Sequence, residues 1–166
     1  MNTENKSFTE PCIKDLWQTP ARLFEKLNDE FNFTCDIASS DQNHFCDDWL
    51  TEDDDALSYN SFWGGVNWCN PPYSNISPWV DAAILKHKQG LTTVMLVPSD
   101  TSVKWFKKAF DTCTEVRFIS GRISFINAAT QKPVSGNNKG SVLFIWRGNC
   151  PAERAVTLVD REYFGL

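Results

Sequence analysis

The spacing of apolar positions changes several times along this chain, and each change predicts an element. Pro20-Ala21-Arg22-Leu23-Phe24-Glu25-Lys26-Leu27 reads as a helix, with Thr19 as its N-cap and Pro20 as its first residue. Phe33-Thr34-Cys35-Asp36-Ile37-Ala38 reads as a short buried strand ending in small and polar residues. Residues 39–64 are rich in Ser, Asp and Asn and follow no period. Val66-Asn67-Trp68-Cys69 is a second apolar run of strand length. A helix from Pro78 to about Gln89 follows, with Ser77 as N-cap and Gly90 as its stop. Thr92 to Val97 is a β-branched run closed by Pro98, and Ser102 to Phe110 places Val103, Phe106, Ala109 and Phe110 on one helical face. Glu115 to Ile119 reads as a strand. Ile123-Ser124-Phe125-Ile126 and Val142-Leu143-Phe144-Ile145-Trp146 read as two more, joined by a polar loop from Asn127 to Gly140.

From residue 66 the order is therefore strand, helix, strand, helix, strand, hairpin. Such alternation predicts an α/β fold: a mostly parallel sheet with a C-terminal antiparallel hairpin. The 166 residues suffice for one domain with a real core. We expect a lead-in at 1–16, the domain at 17–147 and a tail at 148–166.

Charge divides the chain unevenly. Residues 1–60 hold 4 Lys or Arg against 14 Asp or Glu, while residues 61–166 hold 12 against 7. Phosphate contacts dominate nucleic-acid affinity, so only the second part leaves room for a basic face. The acidic excess around Asp47-Asp48 and Glu52-Asp53-Asp54-Asp55 reads as a solvated loop. The six cysteines show no Cys-x-x-Cys spacing, which predicts reduced thiols in a cytosolic protein, without a zinc site or disulfides. No apolar run is long enough to span a bilayer, and the polar N-terminus lacks the apolar stretch of a signal peptide.

The most informative residues are Asn70-Pro71-Pro72-Tyr73. They lie at the carboxyl end of a strand and ahead of a helix, where open α/β sheets place their ligands. Two prolines fix φ twice and remove two backbone donors. The loop is thus rigid and presents acceptors beside one aromatic face. An exocyclic amine on a planar ring needs those groups. A bare turn or a polyproline ligand would more often lie in a flexible polar segment.

Several further blocks occur in a recognisable order: Trp17-Gln18-Thr19-Pro20, Asp36-Ile37-Ala38 with Asn43 after it, Thr51 through Asp55-Ala56-Leu57, Gly121-Arg122-Ile123-Ser124-Phe125, and Val142 to Trp146. With Asn70-Pro71-Pro72-Tyr73-Ser74, this set resembles the phage-type DNA N6-adenine methyltransferases over roughly residues 17–147. The resemblance implies a compact Rossmann-like S-adenosylmethionine methyltransferase fold and a cytoplasmic phage or prophage protein. It implies S-adenosylmethionine as cofactor, held by Gln18, Thr19 and Pro20 at its methionine end, by Asp36 and Ala38 near its amino group, and by Asp55 at its adenine. It implies catalysis by Asn70, Pro71, Pro72 and Tyr73 on a flipped adenine of DNA, with Tyr73, Ser74, Arg122 and Lys139 toward the substrate. No metal is implied.

Two departures stand out. The first strand ends in Asp36-Ile37-Ala38-Ser39-Ser40 without the usual glycine-rich turn. No separate recognition domain is present, which leaves target reading to short loops or to a second subunit, as in a homodimer. Cytosine N4, an RNA base or a protein glutamine would also suit the Asn-Pro-Pro-Tyr loop, and an acidic DNA mimic is the alternative outside enzymes. His44 and His87 read as structural, and Lys104, Lys107 and Lys108 as a solvated helix face.

Overall fold

The computed structural model describes residues 17–134, 137–150 and 154–166; the lead-in expected at 1–16 and its Cys12 lie outside them. Nine strands and three α-helices occur among the described residues. The strands are β1 (Trp17–Gln18), β2 (Cys35–Asp36), β3 (Asp48–Trp49), β4 (Val66–Cys69), β5 (Thr92–Pro98), β6 (Glu115–Ser120), β7 (Ile126–Asn127), β8 (Ser141–Trp146) and β9 (Ala155–Asp160). The helices are α1 (Ala21–Phe31), α2 (Ser77–Lys88) and α3 (Lys104–Thr112).

Seven strands form one mixed sheet in the order β3-β2-β4-β5-β8-β6-β9. Strands β3, β2, β4 and β5 are mutually parallel; β8 runs against both β5 and β6, and β9 is parallel to β6. The α/β class and the largely parallel sheet agree with the expectation. The hairpin does not form as expected. Both edges of β8 are filled by β5 and β6, so Ile123–Ile126 has no place beside it. Ile126 and Asn127 pair instead with Gln18 and Trp17 in a separate two-stranded sheet. Residues 148–166, expected as a tail, supply β9 and a closing 3₁₀ turn that buries Phe164.

Helix packing follows strand alternation. Met95 and Val97 of β5, with Phe144 and Trp146 of β8, face Val80 and Ala83 of α2 and Phe106 and Ala109 of α3. Val94, Leu96, Leu143 and Ile145 face Leu23, Phe24, Leu27 and Phe31 of α1. All six residues of β8 are buried, as a central strand covered on both faces requires.

The helix boundaries shift by physical causes. Pro20 is the N-cap of α1, and Thr19 makes no cap hydrogen bond; the helix runs four residues beyond Leu27 because Phe31 still faces the core. Ser77 is the first residue of α2 rather than its cap. Gly90 ends that region at φ 85, a left-handed conformation that suits glycine. Within 39–64, the unassigned stretch, Trp63 donates from Nε1 to the Ala56 carbonyl at 2.9 Å, and Lys86 of α2 reaches the Ser61 carbonyl at 2.5 Å. These two bonds pin the acidic loop to the domain.

Candidate active site

The strand order changes direction between β2 and β4. From β2 the chain proceeds to β3 on one side, then crosses back to β4 and β5 on the other. The carboxyl ends of β2 and β4 therefore diverge into a crevice, the position at which doubly wound sheets bind ligands. Asp36 ends β2, and Asn70 follows Cys69 at the end of β4.

A small cleft lies there, lined by Thr19, Asp36, Ala38, Asn43, Phe45, Trp68 and Asn70. Four residues from three separate sequence blocks (Thr19, Asp36, Ala38 and Asn70) thus meet at one place. Asp36 is 3% exposed and accepts a hydrogen bond from the Phe45 amide at 3.1 Å. Burial pushes its carboxyl up to about 6, opposed by the amides of Phe45 and Ala38 and by His44. In place of a glycine-rich turn, Ser39 donates from its hydroxyl to the Asp36 carbonyl at 3.3 Å and the Leu50 carbonyl at 3.0 Å. The small side chain holds the turn.

Asn70 is oriented by one bond. Its Nδ2 donates to the Trp17 carbonyl at 3.3 Å. The amide is therefore turned so that Oδ1, buried and without a partner among the described residues, is the group left to accept. Thr19 Oγ1, the Tyr73 hydroxyl and Trp17 Nε1 share that condition. Buried polar atoms are normally paired, and these four, of the eight unpaired among the described residues, mark this end of the sheet as a candidate binding surface. Trp17 stacks on Phe125 with ring centres 5.8 Å apart, and Tyr73 meets Phe125 edge-on at 5.9 Å. This aromatic layer joins β1, the Asn-Pro-Pro-Tyr loop and the segment before β7. Burial pushes the Tyr73 phenol far above its ordinary range, so the side chain serves as a neutral ring. Pro71 is buried, while Pro72 is half-buried and its carbonyl accepts from Asn75 at 3.1 Å.

Other expected site residues lie apart from the cleft lining. Gln18 is half-buried in β1, and its Oε1 accepts from Gln131 at 3.3 Å. Pro20 is buried at the start of α1. Asp55 is exposed in a left-handed conformation after a 3₁₀ turn, at φ 47, and is not among the cleft residues. Ser74 is exposed. Arg122 is exposed just beyond β6, and its carbonyl accepts from Arg161 at 3.1 Å. Lys139 pairs with Asp100 at 2.6 Å. The pairing Pro98↔Ser141 and Ile119↔Ser141 puts Lys139, Asp100 and Arg122 at the same sheet edge as Asn70. Lys107 pairs with Asp111 and Lys108 with Asp81, in keeping with a solvated helix face. His44 stacks on Trp49 with ring centres 3.8 Å apart, a structural role.

Asn43, Phe45, Trp68, Phe125 and the Trp17 carbonyl were assigned no site role from sequence. Asn43 and Phe125 lay inside the blocks of the resemblance. A backbone carbonyl leaves no mark in a sequence, so the Trp17 contact was not findable there.

Comparison with known proteins identifies relatives of this chain. A family model described as DNA N-6-adenine-methyltransferase (Dam) matches residues 6–164. A DNA N-6-adenine-methyltransferase of Escherichia phage T1 is 34% identical over 158 residues, covering 84% of this chain; the chain spans 65% of that relative's length. One of Haemophilus phage HP1 (strain HP1c1) is 34% identical over 150 residues, covering 88% of this chain and 86% of the relative. With nearly its whole length matched, this chain belongs to the DNA N-6-adenine-methyltransferase (Dam) family.

Proposed function

We propose that this protein, on a Rossmann-like methyltransferase fold, transfers a methyl group from S-adenosylmethionine to the exocyclic N6 of adenine in DNA. The observation that carries this reading is the Asn70 amide, tied through Nδ2 to Trp17 and presenting a buried, unpaired Oδ1 beside Thr19 and Asp36. The side chains suit the methionine end of that cofactor. The Asp36 carboxylate and Thr19 Oγ1 are two acceptors on one cleft, a pair that favours an ammonium group. Ala38 leaves room for close approach, and Gln18 and Pro20 flank the opening strand. Asp55, exposed beyond the cleft lining, is the acidic residue proposed toward the cofactor's adenine. S-adenosylmethionine supplies, when bound, a methyl group already activated on a sulfonium.

Asn70 Oδ1 and the Pro71 carbonyl accept the two hydrogens of the target amine. The amine's lone pair, delocalised into the ring, becomes localised as the nitrogen moves toward tetrahedral geometry. Stabilisation realised mainly in the transition state raises rate. Asn70 is neutral and does not keep the proton, which passes to solvent. Tyr73 stacks on the base, a contact worth roughly 1–3 kcal/mol. A base within a duplex cannot reach this loop, so the target is flipped out. Ser74, Arg122 and Lys139 face the DNA, with Lys139 exchanging Asp100 for a phosphate. The segment from Asn127 to Gly140 reads a short or degenerate sequence.

The test is mass spectrometry of nucleosides from DNA incubated with the protein and S-adenosylmethionine. N6-methyldeoxyadenosine, absent with Asn70→Ala, is the expected product. N4-methyldeoxycytidine alone, or no methylated nucleoside despite measurable cofactor binding, would overturn the assignment.

A further inference from the structure

The far end of the sheet presents an unusual edge. Strand β9 is the last in the order, and among the described residues nothing pairs with its outer side. Edge strands are commonly protected by lysine, proline or a bulge. Ala155-Val156-Thr157-Leu158-Val159-Asp160 carries no proline or lysine, and Val156 and Leu158 are 52% and 72% exposed.

Backbone direction limits what can dock there. The Ala155 amide donates to the Thr114 carbonyl at 3.2 Å, and β9 runs parallel to β6. In a parallel ladder alternate residues aim both backbone groups to one side. Ala155, Thr157 and Val159 thus face β6, whereas Val156, Leu158 and Asp160 aim their N–H and C=O groups outward. An antiparallel partner must set its own outward residues opposite these.

We propose that β9 pairs with β9 of a second copy of this chain, antiparallel, about a two-fold axis at Thr157. A second copy satisfies the parity only when the axis falls on a residue, not between two. With the axis at Thr157, Val156 lies opposite the partner's Leu158, and Arg154 lies opposite the partner's Asp160, each twice by symmetry. With the axis at Leu158, Val156 would face Asp160; with the axis at Val156, Leu158 would face Arg154. Only the Thr157 register matches apolar with apolar and opposite charges with each other, the pairs that stabilise neighbouring strands. Arg154 already lies on this face, its guanidinium 4.9 Å from the Phe110 ring centre and donating to the Asp111 carbonyl at 2.7 Å. Thr157 meets its own symmetry mate in a non-hydrogen-bonded pair, where side chains approach most closely. One sheet then runs through both copies, with the two clefts at opposite edges. The second copy thus does not complete the first copy's site.

The experiment uses the full chain in a Cys150→Ser background under mild oxidation, with sedimentation velocity alongside. Thr157→Cys should form a disulfide-linked dimer of twice the 18.9 kDa chain mass, because a residue on the axis meets itself within disulfide reach. Val156→Cys and Leu158→Cys should cross-link when mixed but not singly. Without cross-linking, Leu158→Lys should leave monomer only, with the melting temperature equal to that of the wild type diluted to monomer. Arg154→Asp or Asp160→Arg alone should weaken association about tenfold, and the double exchange should restore it. A chain monomeric at 100 µM (about the working range of such assays), or equal cross-linking at positions 156, 157 and 158, would overturn the proposal. So would association that Leu158→Lys leaves unchanged.

Discussion

Two regions of this protein treat polar groups in opposite ways. On the α1 side of the sheet, Glu30, Glu115, Arg117 and Arg147 form a closed network. Glu30 accepts from both arginines at 2.7 and 2.9 Å, and Glu115 accepts from both at 2.6 and 3.0 Å. The two guanidiniums lie 5.5 and 4.6 Å from the Phe31 ring centre, so charge and ring clamp α1 to β6 and β8. Every charge there has an opposite. At the β2–β4 crevice, Thr19 Oγ1, Asn70 Oδ1 and the Tyr73 hydroxyl are buried without partners among the described residues, and at Asp36 burial outweighs the amides of Phe45 and Ala38 and His44, so its carboxyl is pushed up. The first arrangement holds the fold together. The second costs folding free energy, which is the signature of a surface shaped for a ligand.

The sharpest way to break the comparison is Asn70→Ala. It should lower turnover by about 10²–10³, the loss typical of removing one preorganised hydrogen-bonding group. Cofactor affinity and melting temperature should hardly change. Near-normal turnover in single-turnover kinetics would refute the role given to Oδ1.

Asp36→Asn separates stability from binding. The folded carboxyl titrates at about 6 against an ordinary 3.8, so the folded state holds its proton more tightly than the unfolded one. Stability therefore falls as pH rises from about 4 to about 6, then levels off. Removing the charge should stabilise the protein by roughly 3 kcal/mol above pH 6 and leave it unchanged below about pH 4. The same substitution should weaken S-adenosylmethionine binding. In the wild type that affinity should drop about tenfold per pH unit below 6, as the carboxylate is lost. Denaturation and calorimetry across this pH range test both arms.

Glu30→Ala tests the other region. The Arg117 hydrogen bond holds the Glu30 carboxyl below its usual value. Its contribution is thus present above pH 4.5 and lost as pH falls through the depressed folded value. Because Glu30 is more than a third exposed, solvent screening limits the loss to about 1–2 kcal/mol. Turnover per folded molecule should not change. A matching loss of activity at a temperature well below unfolding would show that the two regions are coupled.

The smallest effect belongs to Lys139→Ala. Its exposed pair with Asp100 should contribute at most about 1 kcal/mol to stability. DNA affinity should fall uniformly across sequences, with the salt slope reduced by about one. An unchanged slope would place the phosphate contact elsewhere.

Much of this molecule was open to reading along the chain, because the relevant forces are local. Prolines 71 and 72 fix the loop after β4 whatever surrounds them, and the β-branched run from Thr92 to Val97 suits a buried parallel strand. The alternation of elements after residue 66 made the sheet largely parallel. The blocks containing Thr19, Asp36 and Asn70 could be named as one site. Tertiary packing alone decided the rest. Which strand fills the slot between β5 and β6 depends on long-range pairing, and β8 took both edges, sending Ile126 and Asn127 to β1. Whether residues 155–160 become a strand depends on the free side of β6, which no local pattern announces. Asp55 takes a left-handed conformation after Glu52–Asp54, a backbone state that the sequence block did not announce. The orientation of Asn70 rests on a carbonyl 53 residues earlier, a contact that only the folded chain can make.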